Sequence, residues 1–166
     1  MIYTCTIDTP LGAMTAAAED GAVIGLWFVG QKYYPRQTED WIVDPAHPAL
    51  AALRDELDRY FAGARFSGAV RLAPKGSVFQ KAVWEVLAGI PYGETMTYGE
   101  IARTIAGSRG MDSMSAQAVG GAVGHNPISI IIPCHRVMGC GGKLTGYAGG
   151  VERKEALLRL EGNVCS

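Results

Sequence analysis

Cys134-His135-Arg136 is the stretch of this chain where adjacent side chains offer a nucleophile, a base and a fixed positive charge. A thiol attacks only as its thiolate, so a reactive cysteine needs a base or a positive field beside it. His135 can supply the base and Arg136 the field. Pro133, just before them, stops regular pairing and turns the chain at a defined angle. The imidazole in turn needs an orienting acceptor, as a carboxylate orients the histidine of a catalytic triad, and Glu161 is a candidate. Neighbouring side chains of an extended segment point to opposite faces, so a bridging water is the geometry that joins thiol to imidazole. The plainer reading is an inert, buried cysteine beside a surface histidine, which is the commoner occurrence. These residues leave both readings open and do not name a reaction.

The elements that must position them fall into two groups. Ile2 to Asp8, Ala13 to Ala18 and Val23 to Val29 alternate and branch like strands, with Pro10-Leu11-Gly12 and Glu19-Asp20-Gly21 as turns between them. Trp27 and Phe28 are expected to pack on that small sheet. Leu50, Leu53, Leu57, Tyr60 and Phe61 recur at helical spacing and predict a helix over Pro48 to Phe61. The Gly- and Pro-containing segment from Gly63 to Gly76 reads as the crossing between two domains, at 1–74 and 75–166. In the second, Ser77 with Gln80 and Thr97 with Glu100 are capping boxes that open two helices. Ser115 caps a third, from Ala116 to about Gly124, and two short helices joined by a turn outline a helix-turn-helix. Ile128 to Ile132 predicts a short buried strand leading into Pro133, and Val151 to about Leu160 a closing helix. The fold class is α/β (α+β), a small sheet domain followed by a mostly helical one.

The third helix carries Ala116, Ala118, Gly120, Gly121, Ala122 and Gly124, and so has almost no side-chain bulk. Each interior glycine costs up to about 1 kcal/mol relative to alanine. Close approach of another helix would offset that cost, and so would a helix lying flush in a DNA groove; small residues permit both.

Composition narrows the class further. Hydrophobic residues make up 48% of 166 residues, enough to bury a core. No leader-like or membrane-length apolar run appears, which predicts a soluble, cytoplasmic protein with no membrane partner. Cys5, Cys134, Cys140 and Cys165 lack metal-ligand spacing, so no metal is expected. The net charge is −1, yet residues 1–70 hold five Lys and Arg against nine Asp and Glu, and residues 71–166 hold ten against seven. The modest positive excess therefore lies with the motifs, compatible with a small phosphate footprint.

Pro133-Cys134-His135-Arg136-Val137 resembles the active-site signature of the O6-alkylguanine-DNA alkyltransferases. Phe79-Gln80, Val83-Trp84, Ile90 to Thr95, Thr97-Tyr98, Ala118 to Ala122, Asn126-Pro127, Gly146-Tyr147 and Lys154 to Gly162 follow in that family's order. The resemblance covers residues 76–162; in the first domain it is weaker, resting on Thr9-Pro10-Leu11-Gly12 and the strand pattern. It implies a first domain resembling ribonuclease H without its catalytic acids. It also implies repair of double-stranded DNA from the minor groove, by rotating out an alkylated guanine (and O4-alkylthymine) and moving the alkyl group irreversibly to Cys134.

By the same resemblance, His135 draws the thiol proton through water, Glu161 holds the imidazole, Tyr98 gives a proton to the guanine ring nitrogen, and Asn126 holds the turn before the active-site segment. Ser115, Ala116, Gln117, Gly120, Gly121 and Arg136 would contact DNA. Val123, Val137, Leu144, Tyr147 and Ala148 would border the pocket. No cofactor or metal is implied, and a monomer is expected. One departure stands out: the family often has arginine where this chain has Gln117, and glutamine lacks the charge and planar fork. Three rivals remain: a lesion-binding relative without transfer, which would lack Cys134; a cysteine hydrolase, which would need an oxyanion hole and a separate histidine; and a helix-turn-helix regulator with a structural cysteine.

Overall fold

The computed structural model describes residues 1–36, 38–111 and 113–162. The chain separates into two compact units, Met1–Lys75 and Gly76–Ser166. No helix among the described residues is long and apolar enough to cross a membrane.

The first unit is a four-stranded sheet in the order β3-β2-β1-β4. Strands β1 (Ile2–Thr9), β2 (Gly12–Glu19) and β3 (Ala22–Phe28) form an antiparallel meander. Asp20 and Gly21 both have positive φ (51° and 78°), the conformation that a two-residue hairpin turn needs to match strand twist. A two-residue strand that the sequence did not announce, β4 (Ile42–Val43), pairs parallel with β1. Helix α1 (Pro48–Phe61) packs on β1, β2 and β3, with Leu50, Leu53, Leu57 and Tyr60 all buried. Phe28 is fully buried, and Trp27 stacks on Trp41.

The stretch read as a free crossing is in part structural. Val23 donates to Arg71 O and accepts from Ala73 N, so residues around Leu72 extend the β3 edge in parallel. Glu56, a buried carboxylate on α1, accepts from the backbone and the hydroxyl of Ser67 and folds the segment back. A buried charge needs such partners, and these pairings join residues too far apart in sequence to be read from local pattern.

The second unit is helical. Both capping boxes form, at Ser77 ahead of α2 (Val78–Ala88) and at Thr97 ahead of α3 (Tyr98–Ser108). Helix α3 stops at Gly110, whose φ of 66° lets Gly110 N–H reach Gly107 O and Met111 N–H reach Ala106 O, the paired bonds of a Schellman stop. Ser115 then caps α4 (Ala116–Gly124), its hydroxyl accepting from Ala118 N. Trp84 on α2 donates its indole N–H to Ala122 O, pinning α4 to α2.

Two short strands, β5 (Met96–Thr97) and β6 (Val137–Met138), pair in parallel, and α5 (Val151–Leu160) closes the chain on the core through Leu157 and Leu158.

Candidate active site around Cys134

The predicted strand from Ile128 to Ile132 is not one. The segment is a run of turns with a single bridge residue at Ile128. Ile131 N–H bonds back to Ser129 O across Ile130, whose φ is +70°. A branched side chain rarely occupies that region, and holding it there costs about 1–3 kcal/mol. Asn126 makes the turn possible. Buried itself, it accepts from Ile128 N (3.0 Å) and donates to Ile132 O (2.7 Å) and Ile128 O (3.3 Å). An apolar run signals burial without signalling extension; one buried amide supplied the alternative to a sheet ladder.

Beyond Pro133, residues Cys134–Arg136 form one turn of 3-10 helix, so the expectation of an extended Cys-His pair is also corrected. The turn leads directly into β6, and β6 pairs with β5, whose next residue is Tyr98 at the start of α3. That ladder ties the segment that carries Cys134 to the start of α3, where Tyr98 stands.

His135 is fully buried, and its Nε2 lies 2.7 Å from Glu161 Oε2. A carboxylate only accepts, so Nε2 carries the proton and Nδ1 the lone pair. Nδ1 is buried and has no hydrogen-bond partner among the described residues. Burial, opposed by the hydrogen bond and charge of Glu161, lowers the histidine pKa, so the ring is neutral near pH 7. Glu161 stands at the C-terminal cap of α5. Gly93 lies against that end: its φ is +81°, and a Cβ there would come within 3.3 Å of Glu161 O.

Arg136 corrects another expectation. It is 6% exposed, donates from Nε (2.7 Å) and Nη2 (3.0 Å) to the two oxygens of Glu161, and donates from Nη1 to Ile90 O (2.7 Å). A guanidinium so held is a buried strut and does not reach a DNA backbone. Nor does it supply the field at the thiol. The positive charge that acts on Cys134 is Lys154, fully buried on α5, and that residue the sequence reading missed. A lysine buried that deeply needs partners, but nothing in its helical spacing tells it from a surface lysine. Burial raises the Cys134 pKa, outweighing the Asn126 amide, Lys154 and the Tyr147 hydroxyl, so the resting residue is a thiol.

The pocket residues divide by burial: Val123 and Val137 are buried, while Leu144, Tyr147 and Ala148 are half-buried. The Tyr147 hydroxyl sits near Cys134 and Ser129 but makes no hydrogen bond of good geometry, and burial, first, with the neighbouring sulfur raises its pKa well above 10.0. On α4, Ser115, Ala116, Gln117 and Gly121 are exposed and Gly120 is half-buried. A Cβ on Gly121 would meet nothing within 4 Å, and one on Gly120 only the Tyr98 ring at 3.8 Å. Packing within the chain therefore does not demand these two glycines, which removes the plainer of their two explanations. Cys5 is buried beside Arg54, Cys140 is exposed, and Cys165 lies outside the described residues, as does Asp112 in the 109–114 loop. Among the described residues no three His, Cys, Asp or Glu side chains gather as metal ligands would.

Residues 78–163 match the family model of the 6-O-methylguanine DNA methyltransferase, DNA binding domain, and residues 1–74 that of its ribonuclease-like domain. A methylated-DNA–protein-cysteine methyltransferase of Mycobacterium bovis is 49% identical over 161 residues, covering 97% of this chain and 93% of that protein. The one from Methanosarcina acetivorans is 42% identical, covering 98% and 99%. Among solved structures, that of Mycobacterium tuberculosis OGT in complex with DNA superposes with a TM-score of 0.84 at 45% identity, covering 96% of this chain and 92% of that one. Both halves of the chain match in order, and relatives of similar length match along nearly all of it. The chain belongs to the 6-O-methylguanine DNA methyltransferase family.

Proposed function

We propose that this protein repairs DNA by moving an alkyl group from O6 of guanine, and also from O4 of thymine, onto its own Cys134, once per molecule. The observation that carries the reading is the chain of contacts behind the cysteine: a neutral, buried His135 whose protonated nitrogen is held by Glu161 and whose other nitrogen is free to accept. The lesion-binding and regulator readings have no use for that arrangement, and the similarity of both domains to methyltransferases favours alkyl transfer over hydrolysis.

The damaged nucleotide is rotated out of the duplex at a cost of a few kcal/mol. The Cys134 thiol gives its proton to His135 Nδ1 through a water. Glu161 stabilises the imidazolium as it forms, much as a triad carboxylate does. The sulfur attacks the alkyl carbon, the carbon–O6 bond breaks, and its electron pair enters the purine ring. Tyr98 gives its proton to a ring nitrogen, so a neutral base leaves. The thioether is stable and no group in the site is placed to cleave it. Asn126 holds the turn that carries the sulfur. Ser115, Ala116, Gln117, Gly120 and Gly121 form the surface of α4 that enters the minor groove, and Val123, Val137, Leu144, Tyr147 and Ala148 border the base. The reaction calls for no cofactor or metal, and we place the protein in the cytoplasm as a monomer.

Intact-protein and peptide mass spectrometry after mixing with a duplex bearing O6-methylguanine tests this. The expected result is one methyl on the Cys134 peptide, saturating at one per protein and absent from Cys134→Ser. A bound duplex with no mass change would assign the protein to lesion binding.

A further inference from the structure

We infer that Thr145 is a positioning residue for the transfer, coupling the buried charge of Lys154 to the hydroxyl of Tyr98. This rests on the reading of Tyr98 as proton donor to the departing base. Lys154 Nζ donates to Thr145 Oγ1 at 3.0 Å and to Gly146 O at 3.4 Å. The same Oγ1 lies 3.2 Å from the phenolic oxygen of Tyr98. The three residues come from α5, the loop before it and the first turn of α3.

The donor inventory fixes the Lys154 end of this relay; at the Tyr98 end either hydroxyl can donate, and the inference assigns the donor role to Thr145. An ammonium has three protons and no lone pair, so Thr145 Oγ1 accepts from Lys154. The threonine hydroxyl has one proton to give, and the Tyr98 oxygen stands within its reach. With its oxygen accepting from Thr145, Tyr98 keeps its own proton for a different partner, and a base seated beside Cys134 is the partner the reaction provides. As the sulfur–carbon bond forms and the carbon–O6 bond breaks, the Tyr98 proton passes to the purine ring nitrogen. A phenolate charge develops on Tyr98 while an imidazolium develops on His135, so charge balances, and exchange with solvent restores both groups. The Thr145 hydrogen bond strengthens as the phenolate forms, with the Lys154 charge aligned behind it. An interaction stronger in the transition state than in the resting site accelerates chemistry without tightening binding. Thr145 thus acts through Tyr98 and does not itself touch the reacting atoms.

The experiment is single-turnover methyl transfer from an O6-methylguanine duplex, with duplex affinity measured in parallel, for Thr145→Val, Thr145→Ser, Tyr98→Phe and the Thr145→Val, Tyr98→Phe double variant. Valine keeps the shape of threonine and removes the hydroxyl; serine restores the hydroxyl. The expected result is a transfer constant about tenfold lower for Thr145→Val at unchanged duplex affinity. Thr145→Ser should recover to within about threefold, and Thr145→Val should cost nothing further once Tyr98 is phenylalanine. Tyr98→Phe slow by itself, with the threonine loss adding in full, would overturn the coupling and leave the Tyr98 reading standing. Tyr98→Phe as fast as the parent would overturn the Tyr98 reading and the coupling together. A serine variant as slow as valine would also overturn the coupling, since a packing defect would then explain the loss.

Discussion

At the scale of single residues, Glu161 carries the most consequence. Its two oxygens accept from His135 Nε2 and from Nε and Nη2 of Arg136, and it is 5% exposed. Removing one partner of a buried ion pair leaves the other uncompensated, which costs about 3–5 kcal/mol. Glu161→Ala is therefore expected to lower the stability of the Gly76–Ser166 unit by that order and to slow methyl transfer as well. Denaturant unfolding and single-turnover kinetics check the two halves of the prediction; a loss below about 1 kcal/mol would mean that Arg136 finds another acceptor. Cys134 and His135 stood out in the sequence by their adjacency, while Tyr98 and Asn126 were singled out only through the family resemblance. Lys154 and Thr145 were not, because a hydrogen-bond relay between a helix and a loop has no linear signature. Arg136 was misassigned: an arginine next to a cysteine gives no sign in sequence of whether it faces solvent or a buried carboxylate.

At the scale of elements, α4 trades its own stability for surface shape. Gly121 has helical φ and open space around its Cα. Gly121→Ala removes backbone entropy from the unfolded chain, and the free protein should gain about 0.5–1 kcal/mol. If α4 enters the groove as proposed, the same methyl stands in the contact, and duplex affinity should fall. Thermal unfolding and a binding titration on the one variant check both signs; unchanged affinity would take Gly121 out of the DNA surface. The helices were legible down to their caps, since Ser77, Thr97 and Ser115 each bond the backbone three residues on. The two-residue ladders and the turns from Ile128 to Ile132 were not. Such short pairings have no periodicity of their own and exist only because distant segments meet.

At the scale of the whole molecule, buried titratable groups shape how stability follows pH. Burial holds the His135 pKa below its ordinary 6.5, so below pH 6.5 the unfolded chain takes up a proton that the folded one refuses, and stability falls as pH drops. Burial holds Cys134 above its ordinary 9.0, so above pH 9.0 the unfolded chain releases a proton that the folded one keeps, and stability falls as pH rises. The Gly76–Ser166 unit should thus show a plateau between these limits. Trp84 is the only one of the three tryptophans in that unit, so its fluorescence, with Trp27 and Trp41 replaced by phenylalanine, reports the unit alone. Cys134→Ser should flatten the alkaline limb and His135→Gln the acid limb; limbs unchanged in both variants would place the responsible groups elsewhere.

What the sequence determined by itself was local or collinear: alternation, helical spacing, caps, turn residues and the ordered run of family motifs. Each depends on residues a few positions apart, or on an order preserved along the chain, and together they marked out two units and singled out Cys134 as the candidate nucleophile. Tertiary structure decided what depends on long-range meeting in a medium that excludes water. It bent an apolar run into turns around Asn126, folded residues 67–73 back onto the first sheet, and buried Arg136 against Glu161. It also set Lys154 behind the site, since the free energy of a buried charge depends on the partners that surround it, and only the folded chain brings those partners together.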